Sequence, residues 1–322
     1  MATDTLWAID TEDTDSLTLR AVVLHEVDGV GPCLFDYVFG EPQPYEWQTP
    51  SRAADNVTGS FLDLARAKFR APRWALRRPA LNAGQYHPLV WRPGAPAHYF
   101  LPDELRRRLS KDLAAANSLF RKLTRLFATI EPEDGQCAVY GHDIRELLIL
   151  ACTEVETAFK SVLHANDYPA GRWNTGDYVK LRDPMGLADY EVSLSGYHDW
   201  SNMRPFAGWA NERPTGSLPW YDAYNATKHD RDAHFDRATL GDVMMAMAAV
   251  HVLLFARYGP PNDLGAVLPF VSTPLRDWLP ESPFHVQDPR FRAVFARTRP
   301  DPDRVYIPAS GRMRWEPVPL AL

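Results

Sequence analysis

The sequence predicts an α+β protein that is mainly α. A central antiparallel helical bundle is expected, with a small β-rich N-terminal part and an irregular, proline-rich C-terminal arm. Three observations point there. Apolar residues recur with a 3.6-residue period over Leu105 to Ile130 and Ile144 to Val162, and Leu240 to Tyr258 is apolar nearly all round. Before residue 60, two runs rich in Val, Leu, Phe and Tyr flank a turn signal, Asp28-Gly29 with Gly31-Pro32. From Pro261 onward prolines return every few residues, in a chain that holds 28 of them. The expected parts are 1–100, 101–260 and 261–322.

Taken in order, Leu17 to Leu24 and Cys33 to Phe39 read as a hairpin or two adjacent strands. Gly40 to Pro50, with three prolines, reads as a linker or irregular cover. Phe61, Leu64, Ala65 and Phe69 have helical spacing, so a short helix is predicted there. Residues 79–101 read as a crossing loop with one short strand at Pro88 to Arg92. A long helix starts at Asp103, where Asp103 and Glu104 suit its N-terminal dipole end and Arg121, Lys122 and Arg125 its C-terminal end. The next runs from Asp143, read as its N-cap, to His164. Glu156 and Lys160 look like a surface i,i+4 pair. Glu154 falls on or beside the apolar face, where a carboxylate needs a partner unless it reaches solvent at the rim. Between 166 and 218, Tyr178 to Leu181 and Tyr190 to Leu194 are expected to pair as strands, and Asn202 to Trp209 to form a packed loop. Pro219 opens a short helix. Thr239 with Asp242 caps the last long helix and Gly259-Pro260-Pro261 stops it. Phe291 to Arg299 reads as one helix in the C-terminal arm.

Composition narrows the function. In 322 residues, 45% hydrophobic and 24% charged content predicts a packed globular chain. The first 15 residues carry four aspartates and one glutamate, unlike a secretory or transit segment. Val243 to Ala256, interrupted by His251, reads as too short to span a bilayer. Three scattered cysteines predict reduced thiols rather than a disulfide framework or a zinc site. A cytoplasmic protein is expected, with no membrane partner. There is no P-loop, no dinucleotide fingerprint, no H-E-x-x-H and no G-x-S-x-G, so neither a cofactor nor a metal is predicted. Net charge is −6, but residues 61–130 hold 14 Lys and Arg against 4 Asp and Glu, a balance of +10. Such asymmetry hints at an anionic partner, or at docking onto the acidic remainder of the same chain.

Polar chemistry is densest from Trp220 to Arg231. On one helix, Tyr221, Asn225 and Lys228 are predicted to share a face, and Asn225 and His229 lie at i,i+4. Lys228 and Arg231 add positive charge beside the imidazole. The spacing of His229 and His234 does not fit a helical metal site.

Tyr224-Asn225-x-x-Lys228-His229-x-Arg231, running into a long apolar helix and preceded by the Thr153-Glu154-Val155-Glu156 helix, resembles the HEPN family over residues 143–258. The family's histidine falls on His229 and its polar position on Asn225. The family's arginine would fall at Tyr224, and no Arg or Lys stands anywhere in 214–227. The resemblance implies an up-and-down bundle, a homodimer through that bundle, and action on RNA in a bacterial defence or toxin system. In a metal-independent ribonuclease of this kind, His229 would be general base or acid and Asn225 a donor to the phosphate. Glu154 would orient the imidazole or pair with Lys228, and Lys228 and Arg231 would stabilise charge. Tyr221, Tyr224, Arg106, Arg107 and Lys111 are the expected binding residues. The same residue types equally suit a non-catalytic binding protein in which the Asn225 and His229 cluster is structural or holds a small anion.

Overall fold

The computed structural model describes residues 4–11, 19–27, 31–39, 60–70, 72–92, 94, 103–194, 196–259, 302–307 and 315–322. The expected linker at 40–50 and the helix at 291–299 lie outside these. So does most of the proline-rich arm. The chain divides into two compact units, one built mainly from residues 1–87 with a C-terminal return, the other mainly from 97–294.

In the first unit, β1 (Asp4–Asp10), β2 (Leu19–Val27) and β3 (Gly31–Phe39) form an antiparallel meander. The helix α1 (Phe61–Phe69) follows, then β4 (Trp74–Arg77), which pairs with β1 to give the order β3-β2-β1-β4. Ser60 caps α1 through the Asp63 amide. One sheet face, with Leu6, Ala8, Val22 and Leu34, packs on Phe61, Ala65 and Phe69 of α1. The other, with Trp7, Leu19, Ala21, Val23 and Tyr37, packs on Val305 and Ile307. Both faces are covered, so β1 shows no polar alternation and gives no strand signal in the sequence. No strand forms at 88–92. Instead β5 (Gln85–Tyr86) pairs in parallel with the C-terminal Glu316–Pro317.

The basic stretch before residue 80 is largely matched within this unit. Arg73 pairs with buried Asp10 at 2.6 Å, Arg77 with Asp303 at 2.7 Å, Arg78 with Asp4, and Lys68 with Asp36 at 3.5 Å. For these side chains the acidic remainder of the chain is the anionic partner.

The second unit is helical. It contains α2 (Asp103–Phe127), α3 (His142–Ala165), α4 (Thr175–Tyr178), α5 (Pro219–His229), α6 (Arg231–His234) and α7 (Leu240–Tyr258). The long helices alternate in direction along the chain. Arg257 near the end of α7 meets Asp112 early in α2 and Ser161 late in α3, while Tyr221 and Thr227 of α5 meet Glu156 and Arg145 of α3 in reverse order.

Helix α7 starts with the Thr239 and Asp242 capping box and ends at Gly259. At 19 residues it is longer than the apolar run alone suggests, and by length and composition it is able to cross a membrane. Most of it is buried inside the unit, as a core helix requires. Its late turn carries a buried ion pair. The Arg257 guanidinium, 3% exposed, meets Asp112 at 2.7 Å, and the Tyr258 hydroxyl donates to the same carboxylate at 2.6 Å. Breaking such a pair strands a charge in low dielectric, at a cost of about 3–5 kcal/mol.

Two local expectations are corrected. Asp143 lies in the first turn of α3, and Gly141 is the N-cap. Residues 178–181 are helical, because Asn174 and Asp177 form a capping box that starts α4. Val192 pairs instead with Met203. The loop at 202–209 packs as expected, with Met203, Phe206 and Trp209 buried and Phe159 of α3 set against Phe206 and Trp209.

Candidate functional site

Helix α5 has two chemically different faces. Pro219 begins it, and Trp220, Tyr221, Ala223, Tyr224 and Thr227 turn inward. Tyr221, Tyr224 and Lys228, at i, i+3 and i+7, share the stripe that faces α3. Tyr224 occupies the place on this face that the sequence suggested for Asn225.

Their common partner is Glu156. Its Oε1 accepts from the Tyr221 hydroxyl at 2.8 Å and the Tyr224 hydroxyl at 3.2 Å, and its Oε2 accepts from Lys160 at 3.2 Å. The Lys228 ammonium donates to the Tyr224 hydroxyl at 2.7 Å and lies 4.9 Å from the centre of that ring. Burial pushes the Glu156 carboxyl up, but the hydrogen bonds from Tyr221 and Lys160, with the charges of Lys160 and Lys228, outweigh it and hold the carboxyl below its ordinary value. The hydrogen bond to Tyr224 raises the Lys228 ammonium. Burial and the adjacent carboxylate push the Tyr221 phenol far up, so it stays protonated and donates. Glu156 is therefore much more than half of a surface pair. Its signal was present in the sequence: Cys152, Phe159 and Leu163, at i−4, i+3 and i+7, are all buried on its side of α3.

Glu154 does not reach α5. It sits about 200° around α3 from Glu156 and faces the α2 and α7 side. Burial, and then the charge of Asp112, raise its carboxyl, against a smaller opposing effect of Arg257. The carboxylate expected to orient His229 thus belongs to another cluster.

His229 is the last residue of α5 and is exposed, and its imidazole makes no hydrogen bond among the described residues. Asn225, half-buried, lies one turn before it on the outward face. Asp222 shares that face and pairs with Arg237 at 2.6 Å. The Arg231 side chain lies outside the described residues. A cation absent from the sequence reading approaches this end of the helix: Arg145 of α3 donates from Nη2 to the Thr227 carbonyl at 3.0 Å. Its position suits the negative end of the α5 dipole. The Arg145 Nε is buried with no hydrogen-bond partner among the described residues. Nothing local in the sequence signals this contact, which spans 82 residues.

The expected binding residues on α2 stand apart from α5. Arg106 pairs with Asp103 on its own helix. Arg107 and Lys111 are exposed, and so are Arg121, Lys122 and Arg125. At 100° per residue these five fall within about 60° of one line on the outward side of α2, opposite the buried stripe Leu109, Leu113, Ala116, Phe120, Leu123 and Phe127. Ala114 and Ser118 lie between the two basic groups. The ridge is about 27 Å long at 1.5 Å per residue. Asp103 and Glu104 stand at one end of the ridge; at the other, Asp143 and Glu146 of α3 line a cleft of about 240 Å³ with Lys122, Arg125 and Thr129. Among the described residues, no group of three His, Cys, Asp or Glu is placed to hold a metal ion.

Compared with known proteins, the chain matches no family model, no curated protein and no solved structure.

Proposed function

We propose that the helical unit is a cytoplasmic, HEPN-like RNA-binding module that holds RNA by its phosphates without cleaving it. The observation that carries this reading is the line of five exposed cations on α2, Arg107, Lys111, Arg121, Lys122 and Arg125. Such a ridge tracks a polyanion through counterion release. It carries no aromatic side chain on which a base would stack, so binding is expected to depend weakly on sequence. The environment of His229 supports the reading without cleavage: the carboxylate that meets α5, which would orient a general base, is already engaged by two tyrosines and a lysine.

The test is fluorescence anisotropy of labelled RNA against the full chain across a salt series. Five phosphate contacts give a log–log slope of roughly −4. Arg107→Glu with Lys111→Glu is expected to weaken binding and flatten the slope by about 2. Unchanged binding in that variant would remove α2 from the interface.

One specific observation favours a cleaving site instead. Asn225 and His229 face outward together, and Arg145 brings a guanidinium to the same helix end, in place of the arginine that the family pattern would put at the Tyr224 position. In that reading Arg145 stabilises the phosphate and His229 moves the proton.

A further inference from the structure

The cleft between the end of α2 and the start of α3 has a lining that a polyanion alone does not need. Lys122, Arg125 and Leu126 of α2 share one face, at i, i+3 and i+4, and so do Asp143, Glu146 and Leu147 of α3. The two faces enclose about 240 Å³. That is below the roughly 300–1,000 Å³ of a site for a drug-sized ligand, so it suits one small ring system. Leu126 and Leu147 are buried and form an apolar floor. Two cations and two carboxylates stand around them, all exposed. These charges do not satisfy one another. Lys122 and Glu146 are 3.7 Å apart, beyond hydrogen-bond distance, and an exposed pair of this kind contributes little. The Arg125 and Asp143 side chains make no hydrogen bond or ion pair among the described residues.

A carboxylate has two acceptor oxygens and no donor. Among the nucleobases, guanine offers it two adjacent N–H donors on one edge, the ring N1–H and the 2-amino group. The matching edges of adenine, cytosine and uracil alternate donor with acceptor, and the acceptor lone pair repels the second carboxylate oxygen. We infer that the cleft holds one guanine nucleotide. The base lies on Leu126 and Leu147, its two donors meet Asp143, and Lys122 and Arg125 take the phosphate. Asp143 is the reader because Glu146 already has the Lys122 ammonium beside it. Paired hydrogen bonds to a charged group are both strong and specific in orientation. Lys122 and Arg125 also end the α2 ridge, so a nucleotide of ridge-bound RNA reaches the cleft. That source rests on the RNA-binding reading above, whereas a free guanine mononucleotide needs the cleft alone. The ridge is indifferent to base identity, and the cleft adds selectivity at one nucleotide.

The test uses the full chain and changes the ligand before the protein. Labelled uridine oligonucleotides carrying one central guanosine, one central inosine or uridine throughout are titrated by fluorescence anisotropy. Guanosine 5′-monophosphate and inosine 5′-monophosphate are compared by calorimetry. Inosine lacks only the 2-amino group, so the comparison does not depend on a variant that folds. The guanosine oligonucleotide is expected to bind about tenfold tighter than the other two, and the guanosine monophosphate tighter than the inosine monophosphate by a similar factor. Asp143→Asn puts a donor where an acceptor oxygen stood. It is expected to bring both ratios to about one, with a melting temperature within about a degree of wild type. Ratios are read because losing a carboxylate tightens the binding of every RNA. No guanine preference in either arm would overturn the inference, and equal binding of the three oligonucleotides would leave the ridge in place. A guanine preference that persists in Asp143→Asn would overturn it too. No oligonucleotide bound, with guanosine monophosphate preferred, would remove the RNA reading and keep the cleft as a site for the free nucleotide.

Discussion

Glu156 of α3 accepts a hydrogen bond from the Tyr221 hydroxyl of α5 at 2.8 Å, and this contact joins the two helices at the centre of the polar cluster. The carboxylate is 18% exposed and also serves Tyr224 and Lys160. Hydrogen bonds to a charged group contribute about 1.5–3 kcal/mol each. Glu156→Ala is therefore expected to lower the melting temperature by roughly 5 °C or more, and Tyr221→Phe by less, as read by circular dichroism.

The two carboxylates of α3 predict opposite responses to pH. Glu156 is held below its ordinary value, so its contribution is complete above about pH 4.5 and is lost as pH falls through the lower folded value. Glu154 is raised, so the folded state keeps that proton longer, and stability falls as pH rises from about 4.5 through the folded value. Melting curves from pH 3 to 8 should show Glu156→Gln losing part of the acid-side dependence. Glu154→Gln should melt higher than wild type near neutrality and equal to it at pH 3.

His229→Ala is expected to leave the melting temperature within about a degree of wild type, because an exposed side chain with no hydrogen bond among the described residues contributes within about ±0.5 kcal/mol. This is the reverse of what a structural histidine predicts. A drop of several degrees would mean that the imidazole is held by a group outside the described residues.

Gly259 ends α7 with φ +87°, and a Cβ there would lie 2.3 Å from the Trp91 ring. The Trp91 amide donates to the Ala256 carbonyl at 2.8 Å, which holds the Trp91 backbone beside the end of α7, and its ring packs edge-on against Phe255. Gly259→Ala thus combines backbone strain with a steric clash, and a loss of about 2 kcal/mol or more in urea unfolding is expected.

What was legible in the sequence was whatever one stretch of chain decides alone. The stripe from Leu109 to Phe127 set α2, and the Thr239 and Asp242 box set the start of α7. What escaped depended on a neighbour. β1 is covered on both faces, Trp7 by one cluster and Leu6 with Ala8 by another, so no alternation marks it. The four residues of α4 exist through the Asn174 and Asp177 box, in a segment whose composition suggests strand. At the site, helical spacing set polar residues on α5, and the structure brings Tyr221, Tyr224 and Lys228 to Glu156 of α3. The spacing did not say which side of α3 faces α5, so Glu154 stood where Glu156 is found. Arg145 was invisible because only folding brings it to Thr227.

The most direct measurement incubates wild type, His229→Ala and the Arg107→Glu, Lys111→Glu variant with a mixed pool of labelled RNAs in EDTA, and scores retention and cleavage on the same samples. Retention by wild type and His229→Ala alike, weakened in the α2 variant, with every RNA intact, is the predicted result. RNA cut by wild type and spared by His229→Ala would contradict it and make the outward face of α5 an active site.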